Sequence, residues 1–290
     1  MTFILPNDVS AKYTYEAELT KQRVISETLF QHEGKKKNIL IKREGNNIVE
    51  NNFSESIDKI IIRDNASFIS TFFQYGVPEM TPFVPFFADF MSNVIYNGNS
   101  ADNLYDYVAS YYYNNKELHQ KVVEQLKLFD TGIEDVVIRR GVDMMGNEQY
   151  LSEFIHKTSA DNASLNYFNQ STGTKLLYNQ LKDFFITLEN GGTLIYDELG
   201  IHLHARIVPY LYNYFLDEDI NTKHAQLIFT THHSSVLDDM KKYRTYLFNK
   251  EDGESYCYRI DELPNNIMLR NDRSLESTYK TGILGGVPNV

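Results

Sequence analysis

The sequence predicts an α/β protein with a partly parallel sheet, and three observations carry that prediction. Period-two apolar alternation near the start predicts antiparallel strands. Apolar residues at helical spacing then predict a long helical stretch. From residue 170 onward, short apolar strands without polar gaps alternate with amphipathic helices. That last pattern belongs to a parallel sheet covered on both faces.

Residues 1–53 read as an antiparallel β subdomain. Lys12 to Leu19 places Tyr13, Tyr15, Ala17 and Leu19 on one face. Val24 to Phe30 and Asn38 to Arg43 follow, with turns at Glu33-Gly34 and Glu44-Gly45-Asn46-Asn47. The run Lys35-Lys36-Lys37 reads as a solvated hairpin turn. Residues 54–130 read as a helical insertion. Ile57, Ile60, Ile61, Phe68 and Phe72 recur at helical spacing, and Leu104 to Tyr113 and Glu117 to Phe129 carry further helices. Tyr105, Tyr107, Tyr111, Tyr112 and Tyr113 are able to stack on bases, but Lys and Arg are sparse around them. A packed helix face is the better reading.

Residues 131–168 return to strands, at Asp135 to Arg139 and Gln149 to His156. Residues 169–290 form the parallel part. Thr174 to Leu188 is an amphipathic helix stopped by Gly191-Gly192. Thr193-Leu194-Ile195-Tyr196 is a buried strand, Leu203 to Phe215 a helix, and Gln226 to Thr231 a second buried strand. Strand, helix, strand over this length implies a right-handed crossover between parallel strands. Arg244 to Asn249 and Glu254 to Asp261 finish as strands.

Of the 290 residues, 42% are hydrophobic and 13% aromatic, enough for a sizeable core and incompatible with wholesale disorder. The net charge of −11 argues against phosphate-backbone binding over the whole surface. Nucleic acid therefore stays open as a partner without support from the charge. Cys257 alone excludes an internal disulfide and a Cys-based zinc site. The most apolar stretch, Thr81 to Tyr96, contains Pro82, Pro85 and Asp89. It is shorter than the roughly 20 residues of a spanning helix. No targeting segment is recognised, so a cytoplasmic protein away from membranes is expected.

Ligands of such sheets sit at the carboxyl ends of the strands, and three polar clusters fall there. Asp197 and Glu198 end the first buried strand. The first carboxylate can hold Mg²⁺ and the second can orient or deprotonate a water. The plain structural alternative is a carboxylate capping the next helix. Thr230-Thr231-His232-His233 ends the second strand, where a His can reach a terminal phosphate and an attacking water. The third cluster, Gln170-Ser171-Thr172-Gly173-Thr174-Lys175, opens a helix. Ser171 can cap it, Gly173 permits close approach of a ligand, and the exposed N–H groups favour phosphate. His202, His204, His232 and His233 also allow a zinc reading, without an H-E-x-x-H arrangement to support it. A nuclease would need more clustered carboxylates, and Asp238-Asp239 reads as solvated.

The order and spacing of these clusters resemble the C-terminal portion of an ABC-type AAA ATPase, of the SMC-like, OLD-like and abortive-infection kind. Ser171 to Lys175 resembles a degenerate signature motif. Leu194-Ile195-Tyr196-Asp197-Glu198 resembles Walker B, followed by a D-loop at Leu199 to His204. Phe229-Thr230-Thr231-His232 resembles the switch strand. Weaker likeness extends to the tail Gly282 to Pro288. The resemblance implies a P-loop-NTPase-like sheet lobe, ATP and Mg²⁺ as cofactors, and a role in antiphage defence through an effector. It implies Asp197 as magnesium ligand, Glu198 as catalytic base and His232 as switch histidine. Ser171, Thr172, Gly173, Thr174 and Lys175 would bind the nucleotide of an opposite ATPase subunit, in a homo- or hetero-oligomer. One departure stands out: no Gly-Lys-Ser or Gly-Lys-Thr occurs in these residues, so the Walker A loop is missing. A fragment, one half of a split ATPase or an inactive remnant serving as an interaction module would each read this way. Where hydrolysis occurs, the loop would come from an upstream segment or another polypeptide.

Overall fold

Residues 1–5, 8–95, 98–99, 105–129, 132–158, 162–264 and 274–287 are described by the computed structural model. Tyr96, Leu104 and Pro288, which fall in the sequence expectations above, lie outside them. The strands are β1 (Thr2–Leu5), β2 (Asp8–Leu19), β3 (Val24–Glu33), β4 (Lys36–Glu44), β5 (Asn47–Asn51), β6 (Phe90–Ser92), β7 (Val94–Ile95) and β8 (Gly98–Asn99). They continue as β9 (Ile133–Val142), β10 (Glu148–His156), β11 (Ala163–Asn166), β12 (Thr193–Tyr196), β13 (Gln226–Phe229), β14 (Tyr246–Glu251) and β15 (Glu254–Arg259). The helices are α1 (Phe68–Gln74), α2 (Phe83–Ala88), α3 (Tyr105–Asn114), α4 (Lys116–Leu128), α5 (Thr172–Asn190), α6 (Val208–Leu216), α7 (Val236–Met240) and α8 (Leu275–Lys280). The protein is thus mixed α/β, with antiparallel sheets and one small parallel sheet. No helix among the described residues is long and apolar enough to cross a membrane.

The chain divides into two compact units. The first holds Met1–Met91, Ile186–Leu194 and Asn221–Gln226. Its frame is an antiparallel meander in the order β1-β2-β3-β4-β5. Gly34, at a left-handed φ of 61°, and Lys35 form the turn between β3 and β4, while Lys36 and Lys37 of the lysine run already belong to β4. Lys37 reaches across to pair with Glu16 and lies 3.7 Å from the centre of the Phe30 ring. Tyr13, Leu29, Ile41, Ile57, Phe68, Phe72 and Phe83 build the core. On β2 the buried face stops at Tyr15: Leu19 is 64% exposed, because the strand runs on beyond the residues that cover it. Within this core Arg43 and Glu27, cross-strand partners on β4 and β3, are both fully buried and 2.5 Å apart.

The second unit holds Ser92–Phe185, Ile195–Ile220 and Leu227–Val290. Its sheet of order β11-β10-β9 packs one face on α3 and α4. Tyr105 and Tyr112 are buried there. The Tyr112 hydroxyl donates to the Tyr178 carbonyl at 2.7 Å, and Tyr105 stacks on Tyr167 with ring centres 4.2 Å apart. These two tyrosines are packing residues, while Tyr107 on the same helix stays exposed. The hairpin of β14 and β15 packs on α7 and α8 through Leu237, Leu247, Ile260 and Leu284.

The parallel sheet has the order β13-β12-β6. Gln226 N–H donates to Gly192 O at 2.9 Å and Thr230 N–H to Tyr196 O at 3.0 Å, so the offset between the strands is constant. Such a constant offset is the mark of parallel pairing. Thr193 N–H donates to Asp89 O at 3.0 Å, and Asn93 N–H to Ile195 O at 3.4 Å, which carries the same sense to β6.

Four sequence expectations need correction. The stretch read as a helical insertion also supplies β6, a strand too short to show a period. Residues 60–66 within it are not helical, because only a 3₁₀ turn at Glu55–Lys59 and the later α1 form there. The second parallel strand is not buried: β13 is at the sheet edge, and Ile228 is 49% exposed. Asp238 and Asp239 are not simply solvated. Asp238 accepts from Leu275 N–H at 2.5 Å and Ser274 Oγ at 2.7 Å, capping α8, and Asp239 accepts from the Tyr212 hydroxyl.

Candidate functional site

The site is built where β12 and β13 end side by side. Thr193, Leu194 and Tyr196 are buried, so the strand is apolar up to the residue before Asp197. Burial raises the Tyr196 phenol well above its ordinary value, and the nearby Asp183 carboxylate raises it further. Beyond the strand the chain must turn at once. Glu198 (φ 56°), Gly200 (φ 93°) and His202 (φ 62°) all take left-handed backbone. Glycine takes it freely, whereas a side-chain-bearing residue loses roughly 1–2 kcal/mol in that region. At Gly200 a Cβ would stand 2.5 Å from Val208 Cγ2 and 2.9 Å from His233 Cδ2, so no larger residue fits.

Side chains from β13 and its extension lace this turn. Thr230 Oγ1 donates to Asp197 Oδ1 at 2.5 Å and accepts from the Glu198 N–H at 2.8 Å. Thr231 Oγ1 donates to Leu199 O at 2.8 Å, and His233 Nε2 lies 3.3 Å from Gly200 O. His232 stands between those two anchored residues and is itself exposed. Asp197, Glu198 and His232 therefore occupy one rim. Among the described residues, Asp197 Oδ2 and the Glu198 carboxylate have no hydrogen-bond partner.

Ser171 Oγ accepts from Thr174 N–H at 3.1 Å and so caps the start of α5. Lys175 is turned back: its Nζ donates to Phe168 O at 2.8 Å and lies 5.7 Å from the centre of the Tyr167 ring. The space over Gly173 is taken by the chain itself, since a Cβ there would stand 2.8 Å from the His202 carbonyl oxygen. That contact sets the start of α5 against the turn after β12. The Thr172 and Gly173 N–H groups are the unpaired donors of the first turn.

A cavity of about 350 Å³ lined by Leu5, Tyr13, Phe53 and Phe83, and one of about 320 Å³ lined by His119, Lys127 and Asp135, involve none of these residues. The candidate site is an open rim. Among the described residues, no three His, Cys, Asp or Glu side chains gather as a metal cage. The donor set does fit Mg²⁺, which binds through one or two carboxylates together with water and phosphate oxygens. Asp197 has a free oxygen at a fixed strand end, and Thr230 holds the other.

Asn93 escaped the sequence reading. It lies 104 residues from Asp197, yet its Nδ2 donates to Asp197 O at 3.0 Å and its Oδ1 accepts from Asp197 N–H at 2.7 Å. A polar residue just after the short stretch Phe90-Met91-Ser92 was the sole signal. Thr230 was visible as part of the Thr-Thr-His-His cluster, but its bridging role was not.

Residues 8–238 match the family described as "AAA domain, putative AbiEii toxin, Type IV TA system". No curated protein matches the chain. The matched span takes in both strand ends of the rim, the start of α5 and Asn93. The chain belongs to this AAA-domain family, and membership implies a P-loop ATPase-like domain with nucleotide as its general ligand.

Proposed function

We propose that this chain acts as an ABC-type ATPase head that binds and hydrolyses ATP, dimerising around it, in antiphage defence by abortive infection. The observation that carries the reading is the Thr230 hydroxyl, which ties the Asp197 carboxylate and the Glu198 amide into one unit at the ends of two parallel strands. Asp197 would hold Mg²⁺, which when bound neutralises charge on the phosphates. The Glu198 carboxylate accepts a proton from, or orients, the attacking water. His232 donates to a terminal phosphate oxygen from the neighbouring strand end. The Thr172 and Gly173 N–H groups offer an anion site at the start of α5, suited to the γ-phosphate of a second subunit's ATP.

These residues lack a Gly-Lys-Ser or Gly-Lys-Thr loop, so the β/γ-phosphate cradle comes from an upstream segment or a partner polypeptide. The open edge of β13, with Ile228 49% exposed, supports that reading, because an unpaired apolar strand edge is a template for another strand. The test is ATP turnover by the chain together with its upstream coding segment, comparing the native sequence with Glu198→Gln. Turnover that falls at least a hundredfold in the variant supports the proposal. Background turnover in both overturns it.

One observation favours a second reading, a catalytically inactive remnant that serves as an interaction module. Lys175, the cation of the α5 turn, is engaged with its own backbone. Absence of ATP binding, together with stable capture of a partner chain, would select that reading.

A further inference from the structure

Asn93 has a geometry that ordinary packing does not require. Its side-chain amide meets both main-chain groups of Asp197, accepting from the N–H at 2.7 Å and donating to the C=O at 3.0 Å. A side-chain amide has the same donor and acceptor as a peptide unit. Asn93 therefore extends the β6–β12 ladder by one rung, past the point where the strands themselves stop. That rung falls on the residue whose carboxylate points into the rim. From the other side Thr230 holds the Asp197 carboxylate and the Glu198 amide. Asp197 is gripped on its main chain from β6 and on its side chain from β13. The next residue, Glu198, is already in left-handed backbone. Without a grip on Asp197, the turn could relax by rotating that peptide, and both carboxylates would move.

We infer that Asn93 is a positioning residue that fixes the Asp197 carboxylate for a divalent cation. This rests on the ATPase reading above, and deepens it by assigning a residue from a distant segment to the same site. Residues that orient a metal ligand from behind typically change metal affinity by about 10–100-fold when removed.

The test uses the chain together with its upstream coding segment, as in the turnover test, with Mn²⁺ and ATP as probes, read by electron paramagnetic resonance. ATP binding in the presence of a chelator gives the metal-free reference. Asn93→Ala and the near-isosteric Asn93→Leu are expected to weaken Mn²⁺ binding at least tenfold while chelated ATP binding changes less than twofold. Asp197→Ala should abolish protein-bound Mn²⁺, returning the full signal of the free ion. If both Asn93 variants only lower the melting temperature and leave Mn²⁺ affinity intact, while Asp197→Ala removes it, the inference fails and the ATPase reading stands. Mn²⁺–ATP binding that is indifferent to Asp197→Ala, or absent from the native protein with that segment present, overturns both. Hydrogen exchange of the Asp197 amide supplies a check that needs no variant. Strong protection is expected, and exchange at the unprotected rate overturns the clamp.

Discussion

Two polar networks in this protein use the same kinds of groups to opposite ends. In the first unit, Glu27 and Arg43 are buried within the meander as an ion pair whose further contacts are internal. Glu27 accepts from the Tyr15 hydroxyl and, at 3.0 Å, from the Phe68 N–H, which helps to start α1. Arg43 donates to the Arg63 and Ala66 carbonyls at 3.2 and 2.7 Å, pinning the segment before that helix. In the second unit, Asp197 and Glu198 are half-buried and their main chain is held, while among the described residues only Asp197 Oδ1 of their carboxylate oxygens has a hydrogen-bond partner. A network closed on itself fixes a fold. A network whose backbone is satisfied but whose charges are not is arranged for something that has yet to arrive.

That contrast can be broken at several points. The largest effect is expected in the closed network. Glu27→Ala leaves Arg43 buried without its carboxylate and should cost about 3–5 kcal/mol in urea unfolding. The double change Glu27→Leu with Arg43→Met should recover most of that loss. If Glu27→Ala costs under about 1 kcal/mol, the network is not the closed unit described here.

Gly200→Ala should come next. The new Cβ meets Val208 and the His233 ring, in a backbone region that alanine resists. A loss of about 2–4 kcal/mol in thermal unfolding is expected, from strain and overpacking together. Retained stability would mean that the turn after β12 is free to open.

Glu198→Gly sharpens the comparison in the other direction. Glycine relieves the left-handed strain at 56°, so stability should hold or rise by up to about 1 kcal/mol, while turnover disappears. A clear loss of stability would make Glu198 a structural residue like Glu27.

The smallest effect concerns pH. Asp143, at the tip of the β9–β10 hairpin, has its carboxyl held below the usual range by the Asn147 side chain, with the Asn147, Met145 and Gly146 amides helping. A depressed carboxylate adds stability that is present above its unfolded value and lost as pH falls through the folded value. Protection of the Met145 amide should therefore fade only at pH below the ordinary aspartate range. Asp143→Asn should remove that dependence.

Much of this was legible in the sequence because the signals are local. Period two marks Tyr13 and Tyr15, Gly34 marks a turn, and the run Thr193 to Tyr196 followed by two carboxylates marks a strand and its rim. The helix of Thr174 to Leu188 appears as α5 with only its ends extended. The short strand Phe90–Ser92 was not legible, since three residues are too few to carry a period. Neither was the exposure of β13, because an apolar tetrapeptide reads the same at an edge as in the middle of a sheet.

The sequence by itself determined the order of the elements, the apolar strand that delivers Asp197 and Glu198, and the family pattern around them. These depend on neighbours within a few residues. Only the tertiary structure decided that Asn93 grips Asp197 across 104 positions, that Thr230 bridges the two carboxylate-bearing residues, and that Lys175 folds back on its own backbone. Such contacts depend on which strands pair and at what offset, and pairing is set by burial over the whole chain, which no local pattern encodes.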